Sequence, residues 1–212
     1  NGGGALFIAG MMGYGDYDDL VRRINALLKP FGASIVFEQV RDEKHKATHT
    51  GILTYTYYAT RNITRSRLTD GVRLLWYPGG GGQHAAPVST YTMRLSDDWQ
   101  VIVRGEKTAS CKSITSAPPL IAVREFGKGR IAIATFDARY FINDGYHPAY
   151  GGYVLEKGDG FKLLLRLYDW LGEPSMRMGW VYTERVRIPI VRKSPRRRPF
   201  KRQKFKGISK YA

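Results

Sequence analysis

A handful of residues in this chain have the types and spacing that chemistry uses. Cys111, in "KTASCKSITS", is the single cysteine. A cysteine nucleophile needs a base to remove its proton and a sharp turn to lift the sulfur clear of the backbone. Lys112 follows it directly, no glycine flanks it, and no strand runs straight into it. The histidine downstream, His147 in "GYHPAYGG", has no His-x-Glu pair after it. A structural thiol is the expectation. His45 and His49 stand at i, i+4, the spacing that could start a zinc site on a helix. "KHKATHTG" is basic, ends in Thr-Gly and has no acid behind it at ligand spacing, so an exposed loop and no metal are expected.

Glycine runs and one aspartate complete the set. In "YPGGGGQH", the run Gly79, Gly80, Gly81, Gly82 could turn backbone N–H groups toward an anion, or be a flexible loop after a strand. Neither it nor Gly127-Lys128-Gly129 has the G-x-x-x-x-G-K-[ST] spacing of a nucleotide loop, and no cofactor is implied. The second run lies in "VREFGKGRIAIATFDARYF", between two apolar, β-branched segments, and reads as a hairpin turn where glycine supplies positive φ. Asp137 closes that segment. It could face a ligand at the carboxyl end of a strand or cap the following turn.

These residues need elements to position them. "ALFIAG", Ala5 to Gly10, has the look of a buried parallel strand. A helix follows, capped by Asp16 or Asp18, with Leu20, Ile24, Leu27 and Leu28 on one face and Pro30 and Gly32 as the stop. "ASIVFEQV" reads as a second strand, parallel to and beside the first through a right-handed crossover. "GILTYTYYAT" suits a half-exposed edge strand. Val72–Tyr77 is expected to be a central strand near Leu6–Ala9 and parallel to it. "STYTMRL" and "WQVIVRG" flank Ser96-Asp97-Asp98 as one hairpin, and Leu120–Phe126 and Arg130–Phe136 form another. "GDGFKLLLRLYDWLGEP" reads as a closing helix. Its cap is Asp159, its apolar stripe Phe161, Leu164, Leu165, Tyr168 and Leu171, and Gly172 and Pro174 end it.

Charge divides the chain more sharply than any motif. Residues 175–212 hold 13 Lys and Arg against one acid, Glu184, so +12 of the net +16 sits there and only +4 in residues 1–174. Within "RKSPRRRPFKRQKFKG", the bases Arg192, Lys193, Arg196, Arg197, Arg198, Lys201, Arg202, Lys204 and Lys206 repel one another. Pro195 and Pro199 deny the segment a helix, and Phe200 and Phe205 are its only aromatic anchors. Such a segment is expected to order only against another molecule: a protein surface, nucleic acid or copies of itself. The chain is 43% hydrophobic and 25% charged, as a folded domain is, and no apolar run approaches the roughly 18–20 residues of a membrane span. A soluble protein is expected. Asn1 implies a processed terminus or an excerpt. Asn62-Ile63-Thr64 fits a glycosylation sequon, which matters only in a secreted eukaryotic chain.

The order of these segments carries a resemblance. A βα opening, a strand entering a Pro-Gly turn, "AVREFGKGRIAIATFDARYF" and a late "LLLRLYDWLG" helix resemble class I glutamine-amidotransferase-like domains. The likeness is nearest to their non-catalytic branch in gliding-motility and intraflagellar-transport proteins, and to a domain that helps some β-galactosidases trimerise. It spans residues 5–173 in outline and is sharpest over Ile121–Phe141 and Lys162–Leu171. It implies a flavodoxin-like α/β fold, a mostly parallel sheet with helices on both faces and added antiparallel hairpins. The domain would be residues 1–174, with a basic extended tail over 175–212. Catalytic relatives place a cysteine on a nucleophile turn, which Cys111 lacks. The favoured reading is therefore a non-enzymatic module that associates with other protein chains through tyrosine-rich faces and the tail. The alternatives are a nucleic-acid-associated protein that uses the tail, and a hydrolase or amidotransferase-like enzyme with a site near Gly79–Gly82.

Overall fold

The first apolar run forms strand β1 (Ala5–Ala9), and its hydrogen-bonded neighbour lies far along the chain. β9 (Gly129–Ala134) pairs with it in parallel, Ala5 opposite Arg130 and Ala9 opposite Ala134. The structure, a computed structural model, describes residues 4–10, 17–49, 55–80, 89–143, 146–147, 152–153 and 156–177. All of these fall within a unit spanning Asn1–Val181.

β9 turns back antiparallel onto β8 (Pro119–Phe126) through Gly127, whose φ is +59°. This is the hairpin expected from the sequence, with glycine where the turn needs positive φ. β7 (Gln100–Arg104) completes a sheet of order β1-β9-β8-β7. Period-two alternation divides its two faces. Ile131, Ile133, Leu6 and Ile8 join the core under helix α1 (Tyr17–Leu28), together with Leu28, Val21 and Ile24. Ala132, Ala134, Phe7 and Ala9 join the other core, beneath helix α3 (Gly160–Arg177), together with Leu163, Leu164, Leu167 and Leu171. The fold is thus mixed α/β, sheet-rich, with one of its long helices on each face of this sheet.

Among the described residues, the sheet expected to be mostly parallel is parallel only in part. Among the described residues β1–β9 is the parallel pairing and the others are antiparallel. β2 (Ala33–Val36) pairs antiparallel with β6 (Thr92–Leu95) instead of lying beside β1. The reason is local. Asn25 of α1 donates from Nδ2 to the Ile35 carbonyl at 2.9 Å and accepts the Ile35 N–H at 2.7 Å, so a side chain occupies the β2 edge where a strand would add.

β3 (Lys46–His49), β4 (Tyr55–Thr60) and β5 (Leu75–Gly80) form a separate antiparallel sheet. β4 is its centre, not an edge, and buries Tyr57 and Tyr58. β5 is its edge, not a central strand near β1. Its apolar run looked central because its surroundings cover it: the Asp159 N–H donates to the Leu74 carbonyl at 2.8 Å, and Trp76 Nε1 donates to the Glu156 carbonyl at 2.8 Å. β6 and β7 are not a hairpin either. The chain turns a corner at Asp97-Asp98, where Ser96 N–H bonds to the Gly32 carbonyl at 2.8 Å and Trp99 Nε1 to Phe31 at 2.8 Å. A short helix α2 (Arg139–Asn143) and the pair β10 (Tyr146–His147) and β11 (Gly152–Tyr153) fill the stretch before α3.

Both long helices differ from their expected faces. Leu27 is exposed, and Val21 takes its place beside Ile24 and Leu28. α3 buries Leu163, Leu164, Leu167 and Leu171 and exposes Phe161, Leu165 and Tyr168. It also runs through Gly172 and Pro174 to Arg177. Proline at 174 removes the N–H that would reach the Trp170 carbonyl. Arg130 Nη1 donates to that carbonyl instead, so a side chain from β9 repairs the last turn. Asp159 caps by its backbone carbonyl, which accepts Leu163 N–H at 3.0 Å, while its carboxylate takes Arg73 N–H at 2.8 Å.

Candidate functional site

β1 and β9 end side by side, at Ala9 and Ala134, and Asp137 lies just beyond. Gly10 closes β1 with φ +95°, and a Cβ there would stand 2.8 Å from the Asp137 Cα, so the two backbones touch. Asp137 Oδ1 accepts Arg139 N–H at 2.8 Å and Arg139 Nε at 3.1 Å, and the Asp137 carbonyl accepts Tyr140 N–H at 3.0 Å. The carboxylate therefore opens α2 from the carboxyl end of a parallel strand pair.

Gly79 is joined to that edge through Thr90-Tyr91. Thr90 N–H and Oγ1 both donate to the Pro78 carbonyl, at 3.1 and 2.8 Å, and Tyr91 N–H donates to Thr135 at 3.3 Å. The Gly79 carbonyl accepts Gln39 Nε2 at 2.8 Å. A Cβ at Gly79 would fall 2.6 Å from the Tyr58 ring and 2.9 Å from the Thr56 methyl. Packing against a buried ring thus accounts for this glycine. Gly79→Ala should cost about 1–3 kcal/mol of folding stability through overpacking, read as a lower urea midpoint with an unchanged slope. Gly80 continues β5 opposite Thr56, while Gly81 and Gly82 lie outside the described residues. So do Arg192, Lys193, Arg196, Arg197, Arg198, Phe200, Lys201, Arg202, Lys204, Phe205 and Lys206 of the tail, and the Asp16 cap.

The other candidates are dispersed. Cys111 is half-buried against the main core, with its N–H bonded to the Ile114 carbonyl at 2.8 Å and Sγ 4.0 Å from Ser113 Oγ. His147 sits in β10. A cavity of about 670 Å³ lies at the end of β1 and β9 opposite Asp137, lined by the start of β1, the Gly127-Lys128-Gly129 turn and Phe31. The sequon Asn62 donates from Nδ2 to the Gly105 carbonyl at 2.9 Å.

The structure also shows sites that sequence reasoning missed. His45 and His49 flank and end a strand, not a loop. Asp42, with its side chain fully buried, gathers four donors: Lys44 N–H at 3.1 Å, His45 N–H at 3.2 Å, Thr108 Oγ1 at 2.9 Å and His45 Nδ1 at 3.0 Å. An ionised carboxylate only accepts, so His45 carries its proton on Nδ1. Burial pushes the Asp42 pKa upward, but the hydrogen bonds from Thr108 and His45 outweigh it and hold the carboxyl below its ordinary 3.8. The signal in "RDEKHK" was an aspartate two and three residues ahead of the N–H groups it binds.

Tyrosines expected at faces are largely core. Tyr57, Tyr58, Tyr77, Tyr91 and Tyr140 are buried, and burial holds the Tyr77 phenol well above its usual pKa. Tyr168 is the described exception, 52% exposed and held edge-on to Phe7 with ring centroids 5.8 Å apart. It shares the outer side of α3 with Phe161, Leu165 and Met176, all about half exposed. Gly172 lies among them, and a Cβ there would meet nothing within 4 Å. A mid-helix glycine costs about 0.5–1 kcal/mol relative to alanine, and no neighbour among the described residues explains it.

No protein-family model matches the chain, and no curated protein matches it. Among solved structures it is similar to an mmIFT52 N-terminal domain, at 14% identity and a TM-score of 0.49, over 80% of this chain. The match takes in 65% of that chain's length.

Proposed function

We propose that this chain is a non-enzymatic module that associates with other protein chains, and that its basic tail, residues 175–212, contacts an acidic surface. One observation carries the reading: +12 of the net charge sits in those residues, beside a domain that carries +4. Repulsion among the nine bases of Arg192–Lys206 is relieved only by acids supplied from elsewhere, since residues 175–212 contain just Glu184. The domain's candidate reactive groups support the same reading through the structural work they do. Asp137 opens α2, the Gly79 carbonyl is held by Gln39, and Cys111 packs against the core. In this reading residues 1–174 form the domain. No described helix is long and apolar enough to cross a membrane.

Deleting residues 192–212 tests the proposal. Association of the purified chain with its partners should weaken sharply, and nuclease treatment of the intact protein should change nothing. Retained association after truncation would refute the tail's role. Nuclease-sensitive association, with affinity falling by about 0.9 logarithmic units per phosphate for each logarithmic unit of salt, would transfer the tail to nucleic acid.

A further inference from the structure

The cavity at the amino ends of β1 and β9, about 670 Å³, falls within the roughly 300–1,000 Å³ of small-molecule sites. Its walls are mainly apolar, with Leu6, Phe31, Phe126 and Ile131 around the chain at Gly4 and the hairpin turn. Phe126 is 45% exposed, yet its ring is held on two sides. Phe31 meets it edge-on with centroids 5.1 Å apart, and the Arg124 guanidinium lies 5.2 Å from its centroid. A ring fixed in this way receives a ligand with little further ordering.

Glycine keeps the mouth open. A Cβ at Gly4 or at Gly127 would meet nothing within 4 Å, whereas one at Gly129 would strike the Gly4 carbonyl at 2.8 Å. The turn needs Gly127 for its φ of +59° and Gly129 for that close approach, but neither reason applies to Gly4. The charge of the lining has one sign. Lys128 and Arg130 are in it and no acid is. Arg130 is engaged by Glu173, Glu125 and the Trp170 ring, but Lys128 has no ion-pair or hydrogen-bond partner among the described residues. Nor do the N–H groups of Gly127 and Lys128 reach a backbone carbonyl among those residues.

We propose that this cavity binds a small anionic amphiphile, its apolar body against Phe31, Phe126, Leu6 and Ile131 and its carboxylate or sulfonate head at Lys128. A purely polar anion gains nothing from the apolar walls, and a neutral hydrocarbon gains nothing from the free ammonium group. A ligand that carries both parts uses both. The site goes beyond the reading of the chain as an associating module and stands whether or not the tail has the role given to it.

The experiment titrates the full chain with anilinonaphthalene sulfonate, an aromatic anion whose fluorescence rises in apolar surroundings. Decanoate or decanol, below their aggregation concentrations, then displace it. Gly4→Leu sets a side chain at the mouth where it strikes no neighbour. It should weaken probe and decanoate binding roughly tenfold or more with an unchanged thermal midpoint, so misfolding cannot explain the loss. Phe126→Ala should weaken both as well. Lys128→Met keeps the length and removes the charge, and should weaken decanoate roughly fivefold or more while leaving decanol unchanged. Every protein in the comparison carries the same tail, so attraction of an anion to residues 175–212 cancels. No saturable binding by the wild-type chain, binding undiminished by Gly4→Leu or by Phe126→Ala, or equal losses of decanoate and decanol on Lys128→Met would each overturn the proposal.

Discussion

Replacing Arg130 with methionine should lower the unfolding free energy by about 2–3 kcal/mol, the largest loss expected from any single change away from the apolar core. The side chain is 12% exposed and engages several groups at once. Nη1 reaches Glu173 Oε2 at 2.6 Å, Nε lies 3.3 Å from Glu125 Oε1, and the guanidinium sits 4.9 Å over the Trp170 ring. It also donates to the Trp170 carbonyl that Pro174 leaves without a helical partner. Methionine keeps much of the volume and removes every donor, so the carbonyl loses its donor while the Glu173 carboxylate keeps only Arg67 at 3.2 Å and Arg177 at 3.7 Å. Lysine restores a charge but neither the planar stacking nor the forked donors, and should recover only part of the loss. The hydrogen bond from Arg130 holds the Glu173 carboxyl below its ordinary value. That contribution is present above the usual carboxylate range and disappears as pH falls through the folded pKa. The gap between the urea midpoints of wild type and Arg130→Met should therefore narrow in acid, to the share carried by the Trp170 carbonyl and ring. A gap that stays constant with pH would remove the ion pair from the explanation.

Arg130 also shows where sequence reading reaches its limit. The β8–β9 hairpin was legible because its information is local: a glycine turn between two β-branched runs admits few alternatives. The order of apolar and polar segments was likewise enough to place α1, α3 and most strands. Partners were not legible where distant residues decide them. Nothing in "ASIVFEQV" says that Asn25, ten residues earlier, occupies its edge. Nothing near Pro174 says that an arginine from another strand completes the turn. The tyrosines suggested binding faces because tyrosine is favoured at interfaces, yet the rings of Tyr57, Tyr58 and Tyr77 are what the β4–β5 packing buries. The α3 stripe was misread for a related reason. Periodicity marks every apolar position alike, and a helix with two apolar faces looks from sequence like one with a single wide face. Among the candidate reactive residues, Asp137 was placed correctly at a strand end, but its neighbours, and the whole Asp42 network, depend on contacts across the fold.

The Asp42 network should be the second most sensitive polar site, and its loss should carry a pH signature. Asp42→Ala leaves two backbone N–H groups, Thr108 Oγ1 and His45 Nδ1 without their acceptor in a place where the side chain is fully buried. A cost of about 1–2 kcal/mol is expected at neutral pH, because buried donors left unmet lose their solvation with no return. Asp42→Asn separates shape from charge. Its amide oxygen can still accept from Thr108 and the backbone, and a shift of the His45 proton to Nε2 would let the amide N–H donate to Nδ1. The asparagine variant should accordingly lose less than the alanine variant at pH 7. The sign of the pH effect follows from the direction of the shift. The folded pKa of Asp42 lies below its ordinary 3.8, so the charged form is favoured by folding. Its stabilisation is complete above the ordinary value and fades as pH falls through the folded one. Urea midpoints of wild type and Asp42→Asn, measured from pH 7 down to pH 2, should approach each other only below the ordinary value. A difference that widens in acid would reverse the direction argued for the carboxylate.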